Sequence, residues 1–435
     1  MVTHVREKAI INSRCHCRRM PVSLTQADEN GVDSTERYTM FSFSILLSVA
    51  TLLASVECQR MTEVVQTADG PVRGRIFETI WHSKPFSAFQ GIPYGKPPVG
   101  PLRFKDPVKV DSWTEVLNAT ENFKYCPQYV VANYVGQEDC LYLNVFSPVV
   151  NFGNITKDYP KKPVMFWIYG GDFATGAALQ DFYAPDFFLE DDVVFVSLNY
   201  RLDVLGFLAL DLPGVKGNSG LKDQVLALKW VQRNIAAFGG DPNRVTIFGE
   251  SAGSASVSFH LLSSQAEGLF HQAILESGTA ICPWAYNTRN RIKASAFALA
   301  ASLGFHTTDQ QELLNFLQRT NLDDLLWSAR AQYIQIFPLV IGTYRPTMSD
   351  DYLDDCPIKK IQKGNITRVP LLMGYNRNEA RFFGFLTDIP EFTISNLLEK
   401  LMNLGSLNLG SLFASELGKL EDLSEAEVLK FMTSF

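Results

Sequence analysis

The sequence predicts an α/β fold built on a mostly parallel central sheet with helices on both faces. Three observations carry the expectation. From about residue 60 onward, short apolar runs of strand length alternate with longer segments of helical spacing. The runs VMFWI (164–168) and VVFVS (193–197) are apolar on both faces, as a strand covered by helices on each side requires. Segment 221–237 spaces Val225, Leu226, Leu228, Trp230, Val231 and Ile235 along one helical face. A GGDP break (239–242) then precedes a β-branched strand at 245–248. With 46% apolar residues over 435 positions the chain can bury a large core. No repeat or low-complexity linker divides it, so residues 59–435 read as a single domain.

The N-terminal part reads differently. Residues 40–58 form an apolar run behind Arg37 that ends in small residues, the pattern of a secretory signal peptide, and the run is short for a membrane span. Residues 1–39 are polar and patternless, an extension expected to be disordered or untranslated, with Met40 as the working start. Were the extension made, residues 41–56 would serve instead as a signal anchor, the less favoured alternative. A formal net charge of -7 without clustered Lys or Arg excludes nucleic acid as a partner. Cys15, His16 and Cys17 lack a second ligand pair, so neither metal nor cofactor is assigned. In a secreted protein Cys126 and Cys140 are the natural disulfide candidates, worth about 3 kcal/mol by chain entropy. The sequons at Asn118, Asn154 and Asn365 suit the same extracellular context.

The chemistry concentrates in GESAG (249–253), a G-x-S-x-G pentapeptide between a β-branched strand and a small-residue helix start. Turning strand into helix within one residue strains the serine backbone and leaves no room for β-carbons at Gly249 and Gly253. Ser251 is therefore the candidate nucleophile. The helix start directs backbone N–H groups, Ala252 first, at the reacting centre. Upstream, WIYGGDF (167–173) runs a strand into Gly170 and Gly171, whose bare backbone suits an oxyanion hole.

Together with EDCLYLN (138–144), NYR (199–201), GNSGLKDQ (217–224) and FGGDP (238–242), these motifs resemble the type-B carboxylesterases, the cholinesterase-like family, and among them insect secreted esterases. The resemblance spans residues 65 to about 390. It implies an α/β-hydrolase fold and ester hydrolysis through an acyl-serine, with a small-molecule ester as the partner. It also implies a Cys126–Cys140 disulfide, Trp284 and Glu250 lining the substrate pocket, and Glu379 as the triad acid, with Ala380 where the family carries glycine.

Two departures alter the expectation. Asp172 takes an oxyanion-hole position that is small in most relatives, and an ionised carboxylate beside a developing oxyanion costs transition-state stabilisation unless it is protonated or turned away. Weak esterase activity follows, and the same carboxylate could orient water toward an adduct on Ser251. The second departure concerns the base. None of the six histidines follows His306, whereas the family places its triad histidine well beyond the acid. The sequence as it stands is expected to be a truncated product with almost no activity. A non-catalytic adhesion or binding protein of the same fold is the alternative. The loop 127–139 holds Tyr129 and Tyr134 but no tryptophan, which disfavours choline esters and leaves uncharged esters as the expected substrates.

Overall fold

The computed structural model describes residues 60–121, 125–130, 132–156, 158–336, 342–377 and 379, with side chains 333–336 excepted. The predicted signal segment and the C-terminal residues after Glu379 lie outside the described residues. The chain divides into a unit of residues 1–58 and a unit of residues 59–435.

Among the described residues there are thirteen strands. Three short ones, β1 (Val65–Gln66), β2 (Pro71–Arg73) and β5 (Leu117–Asn118), make a small sheet, and β6 (Gln128–Val130) with β7 (Asn133–Val135) makes a hairpin. The other eight are β3 (Arg75–Glu78), β4 (Pro85–Pro93), β8 (Tyr142–Ser147), β9 (Lys162–Ile168), β10 (Val194–Leu198), β11 (Gly240–Glu250), β12 (Gln272–Glu276) and β13 (Leu371–Gly374). They form one sheet in the order β13-β12-β11-β9-β10-β8-β4-β3. The five strands β9 to β13 pair in parallel, while β8, β4 and β3 join antiparallel at one side.

This order explains where the site lies. The chain leaves β9 for β10 on one side, then returns across to β11 on the other. The crevice beyond the carboxyl ends of β9 and β11 is therefore the switch point at which open α/β sheets bind ligands. Register places Ile168, the last residue of β9, opposite Gly249 of β11. The glycine turn that follows β9 and the serine that follows β11 are thus neighbours across the sheet edge.

Val164, Phe166, Ile168, Val194, Val196, Val245 and Ile247 are fully buried, which is why these strands read as continuous apolar runs. The helix Ser219–Asn234 starts two residues before the expected span, and its continuation tightens into a 3-10 turn, Ile235–Phe238. Gly239 ends that turn, and the other three residues of the GGDP segment prove to be part of β11. Gly240 pairs with Lys162, and the register then shifts before Val245 meets Val164, so a bulge absorbs the Asp-Pro step without ending the strand.

Two long-range connections staple the layers. Arg201, 3% exposed, binds the fully buried Asp223 through Nε and Nη2, and its Nη1 donates to the Lys105 carbonyl at 2.7 Å. Cys126 and Cys140 form the expected disulfide, with Cα atoms 5.0 Å apart. At the sheet edge β13 presents Leu371, Leu372 and Met373 at 48%, 65% and 58% exposure, unlike any other strand of the parallel part. No helix among the described residues is long and apolar enough to cross a membrane.

Candidate active site

Ser251 caps the helix Ala252–Leu262 with φ 56° and ψ -120°, a conformation costly for any residue with a β-carbon. Its surroundings hold it there. Ser251 N–H donates to the Glu276 carbonyl at the end of β12 (2.9 Å), and its own carbonyl accepts from Ala255 (2.9 Å). The flanking glycines are sterically required: a β-carbon at Gly249 would stand 2.5 Å from the Ile168 carbonyl oxygen, and one at Gly253 would overlap the same atom.

Gly170 lies against Ser251, since a β-carbon there would come within 3.1 Å of Ser251 Cβ. Gly171 has φ 102°, and its carbonyl accepts from Ala174 (3.0 Å) and Thr175 (2.9 Å), closing a tight loop after β9. Asp172 and Phe173 continue it, both in the left-handed region at φ 60° and 54°. The Asp172 carboxylate is ion-paired with Arg345, whose side chain is 1% exposed. Sequence reasoning had no signal for that partner, because 173 positions separate the two residues.

Glu379 is brought to the same sheet edge. Its Oε1 accepts from the Ser277 hydroxyl (2.5 Å) and from the Asn376 N–H (2.7 Å), while Ser277 N–H donates to the Gly374 carbonyl at the end of β13 (2.9 Å). Only the Glu276–Ser277 peptide separates the backbone partner of Ser251 from the side-chain partner of Glu379. The carboxyl of Glu250 is pushed up by burial, and further by the nearby charges of Glu379 and Glu276. Burial also raises Glu276. Trp284 is half-buried and packs against the core.

Of the four described histidines, three have other partners and the fourth is exposed. His82 is exposed and paired with Glu190, and His306 is exposed. His271 accepts from the Val245 N–H through Nδ1 (3.3 Å). His260 is fully buried between Gln224 Oε1 (2.8 Å from Nε2) and the Tyr352 hydroxyl (2.9 Å from Nδ1), and burial lowers its pKa to about 3. His4 and His16 lie outside the described residues.

In the loop closed by the disulfide, Gln128 exchanges two hydrogen bonds with Gly176, which fixes the loop to the segment following the glycine turn. Next to it, Tyr129 packs on Trp327 (ring centroids 5.4 Å apart), hydrogen-bonds Asp323, and carries the Arg330 guanidinium 5.7 Å above its ring. No group of three or more metal-ligating side chains occurs among the described residues.

Residues 61–428 match the carboxylesterase family. A cholinesterase of Mus musculus is 39% identical over 335 residues, covering 74% of this chain and 54% of its own length. An acetylcholinesterase of Bungarus fasciatus is 38% identical over 372 residues, covering 81% and 59% respectively. Acetylcholinesterase 1 of Caenorhabditis elegans is 38% identical over 322 residues, covering 69% and 50%. The chain thus spans between half and three-fifths of the length of these relatives.

Proposed function

The chain belongs to the carboxylesterase family, and from that premise we propose that it is a serine ester hydrolase acting through an acyl-serine intermediate. The observation that carries the reading is the convergence, at one sheet edge, of a strained Ser251, the Gly170–Gly171 turn and Glu379. Ser251 Oγ attacks the ester carbonyl carbon as its proton passes to the general base. The backbone N–H groups of Gly170, Gly171 and Ala252, with that of Asp172, stabilise the oxyanion, and the alcohol departs with a proton from the general base. Water then attacks the acyl-serine in the same geometry and releases the acid. Glu379 orients the base through Oε2, its Oε1 being held by Ser277 and Asn376. No histidine of this sequence is assigned as the base: none follows Glu379, and each described histidine is exposed or committed to another partner.

Uncharged esters are the proposed substrates, although the relatives are a cholinesterase and two acetylcholinesterases. The loop 127–139 offers tyrosines only, and the face of Tyr129 already carries the cation of Arg330. Trp284 and Glu250 are assigned to the substrate pocket. Secretion through residues 40–58 is proposed on the signal-like run, supported by a disulfide and by sequon asparagines 118, 154 and 365 at exposed positions.

The test is fluorophosphonate labelling of the protein expressed from its full-length transcript, with Ser251→Ala as control. Labelling that Ser251→Ala abolishes supports the reading; an unlabelled wild type sinks it and leaves the non-catalytic binding role. Hydrolysis of 3,3-dimethylbutyl acetate in preference to acetylcholine, its cationic isostere, supports the substrate class, and the reverse preference contradicts it.

A further inference from the structure

We propose that Arg345 is a positioning residue for the oxyanion turn, one that cancels the charge of Asp172 and holds the left-handed Asp172–Phe173 step in place. The inference rests on the ester-hydrolase reading and concerns what makes an aspartate tolerable at that turn.

Two consecutive non-glycine residues with positive φ are unfavourable, and the second of them is a bulky phenylalanine. Something outside the turn must stabilise it. Arg345 engages both residues at once. Nη1 donates to the backbone carbonyl of Asp172, Nη2 donates to its carboxylate, and the guanidinium carbon lies 5.8 Å from the centroid of the Phe173 ring. The Phe173 carbonyl is held separately by the Asp203 N–H at 2.7 Å. A planar fork with fixed donors suits this double grip in a way that a lysine does not.

The arginine is itself delivered rigidly. On one flank the side-chain amide of Asn287 donates to the Thr343 carbonyl (2.8 Å), and its backbone N–H donates to the Pro346 carbonyl (3.0 Å). On the other, Asn218 exchanges two hydrogen bonds with the backbone of Thr347, at 2.7 and 2.8 Å. The guanidinium therefore sits at a fixed, buried point beside the turn.

Ester attack develops negative charge where the N–H groups of the glycine turn converge, and an unpaired carboxylate on the third residue of that turn would oppose it at low local dielectric. Paired with Arg345, the turn carries no net charge, and its backbone dipoles act unopposed. Nearby Asp203, whose carboxyl burial pushes up to about 6, is drawn in the opposite direction by the same guanidinium.

The experiment compares wild type, Arg345→Met, Asp172→Asn and the double variant, each expressed from the full-length transcript and checked for folding by circular dichroism. Readouts are kcat and KM for a neutral p-nitrophenyl ester and the rate of Ser251 labelling by an uncharged fluorophosphonate. Arg345→Met is expected to lower kcat and the labelling rate at least tenfold with KM within about threefold. Asp172→Asn is expected to lose less than Arg345→Met, and the double variant, which lacks the unpaired carboxylate but also the guanidinium grip, to react at least threefold faster than Arg345→Met. Labelling of wild type with no fall in Arg345→Met, or a double variant as slow as Arg345→Met, overturns the inference alone. No labelling of any protein overturns the ester-hydrolase reading and this inference with it. If Arg345→Met does not fold, Arg345→Gln alone and combined with Asp172→Asn replace it: a combined variant at least threefold faster than Arg345→Gln supports charge cancellation, and one that is not refutes it.

Discussion

Ser277 donates a 2.5 Å hydrogen bond to Glu379, and the peptide preceding Ser277 carries the carbonyl that accepts the Ser251 N–H. The candidate acid and the candidate nucleophile are thereby registered to each other through two consecutive residues, Glu276 at the end of β12 and Ser277 after it. Glu379→Gln keeps the shape and removes the charge that would orient and stabilise a protonated base. In the full-length protein kcat should fall by about 10⁴-fold, by analogy with the loss of the acid in a hydrolase triad. Ser277→Ala should cost about tenfold, because Asn376 still holds Oε1. Steady-state hydrolysis of a neutral aryl ester measures both, and a Glu379→Gln variant within threefold of wild type would remove Glu379 from the triad.

The strand-to-helix turn at Ser251 makes a steric prediction. Because a β-carbon at Gly253 would overlap the Ile168 carbonyl oxygen, Gly253→Ala must displace either β9 or the helix that starts at Ala252. The loss should appear in both thermal stability and Ser251 labelling, whereas Gly268→Ala, where nothing lies within 4 Å of the added carbon, should leave labelling intact despite its φ of 75°. Equal labelling in the two variants would contradict the geometry.

Acid should destabilise the fold through His260. Its folded pKa, about 3, lies below the ordinary value of 6.5, because burial penalises the charged ring. A group depressed in this way contributes stability that is full above pH 6.5 and is lost as the pH falls toward 3, since the unfolded state takes up the proton first. The contribution to the slope approaches one proton, about 1.4 kcal/mol per pH unit. Urea midpoints measured between pH 7 and pH 4 should therefore fall less steeply in His260→Gln than in wild type; parallel curves would show that His260 does not titrate this way.

The pair Arg201–Asp223 should behave as a buried charge unit. Removing one partner strands the other without water, so Asp223→Ala should lose about 3–5 kcal/mol of unfolding free energy. Replacing both, as Arg201→Met with Asp223→Leu, should recover part of that loss. Denaturant unfolding of the three variants decides it, and a double variant less stable than Asp223→Ala would point to the Arg201 contact with the Lys105 carbonyl as the larger contribution.

What the sequence determined by itself is the local part of this protein. The apolar runs of β9 and β10, the amphipathic helix Ser219–Asn234 and the strand–serine–helix turn were legible because periodicity and the steric demand for glycine act over a few residues. The bulged start of β11 was hidden, since an Asp-Pro step reads locally as a break. Only the tertiary structure decided what surrounds Asp172. Arg345, 173 positions away, reaches it across the fold and turns an apparent like-charge liability into an ion pair. It likewise placed Arg330 on Tyr129, Ser277 against Glu379, and His260 in a buried bond with Gln224. Such pairings leave no periodic trace in the chain, because their partners are chosen by the packing of whole elements and not by neighbours in sequence.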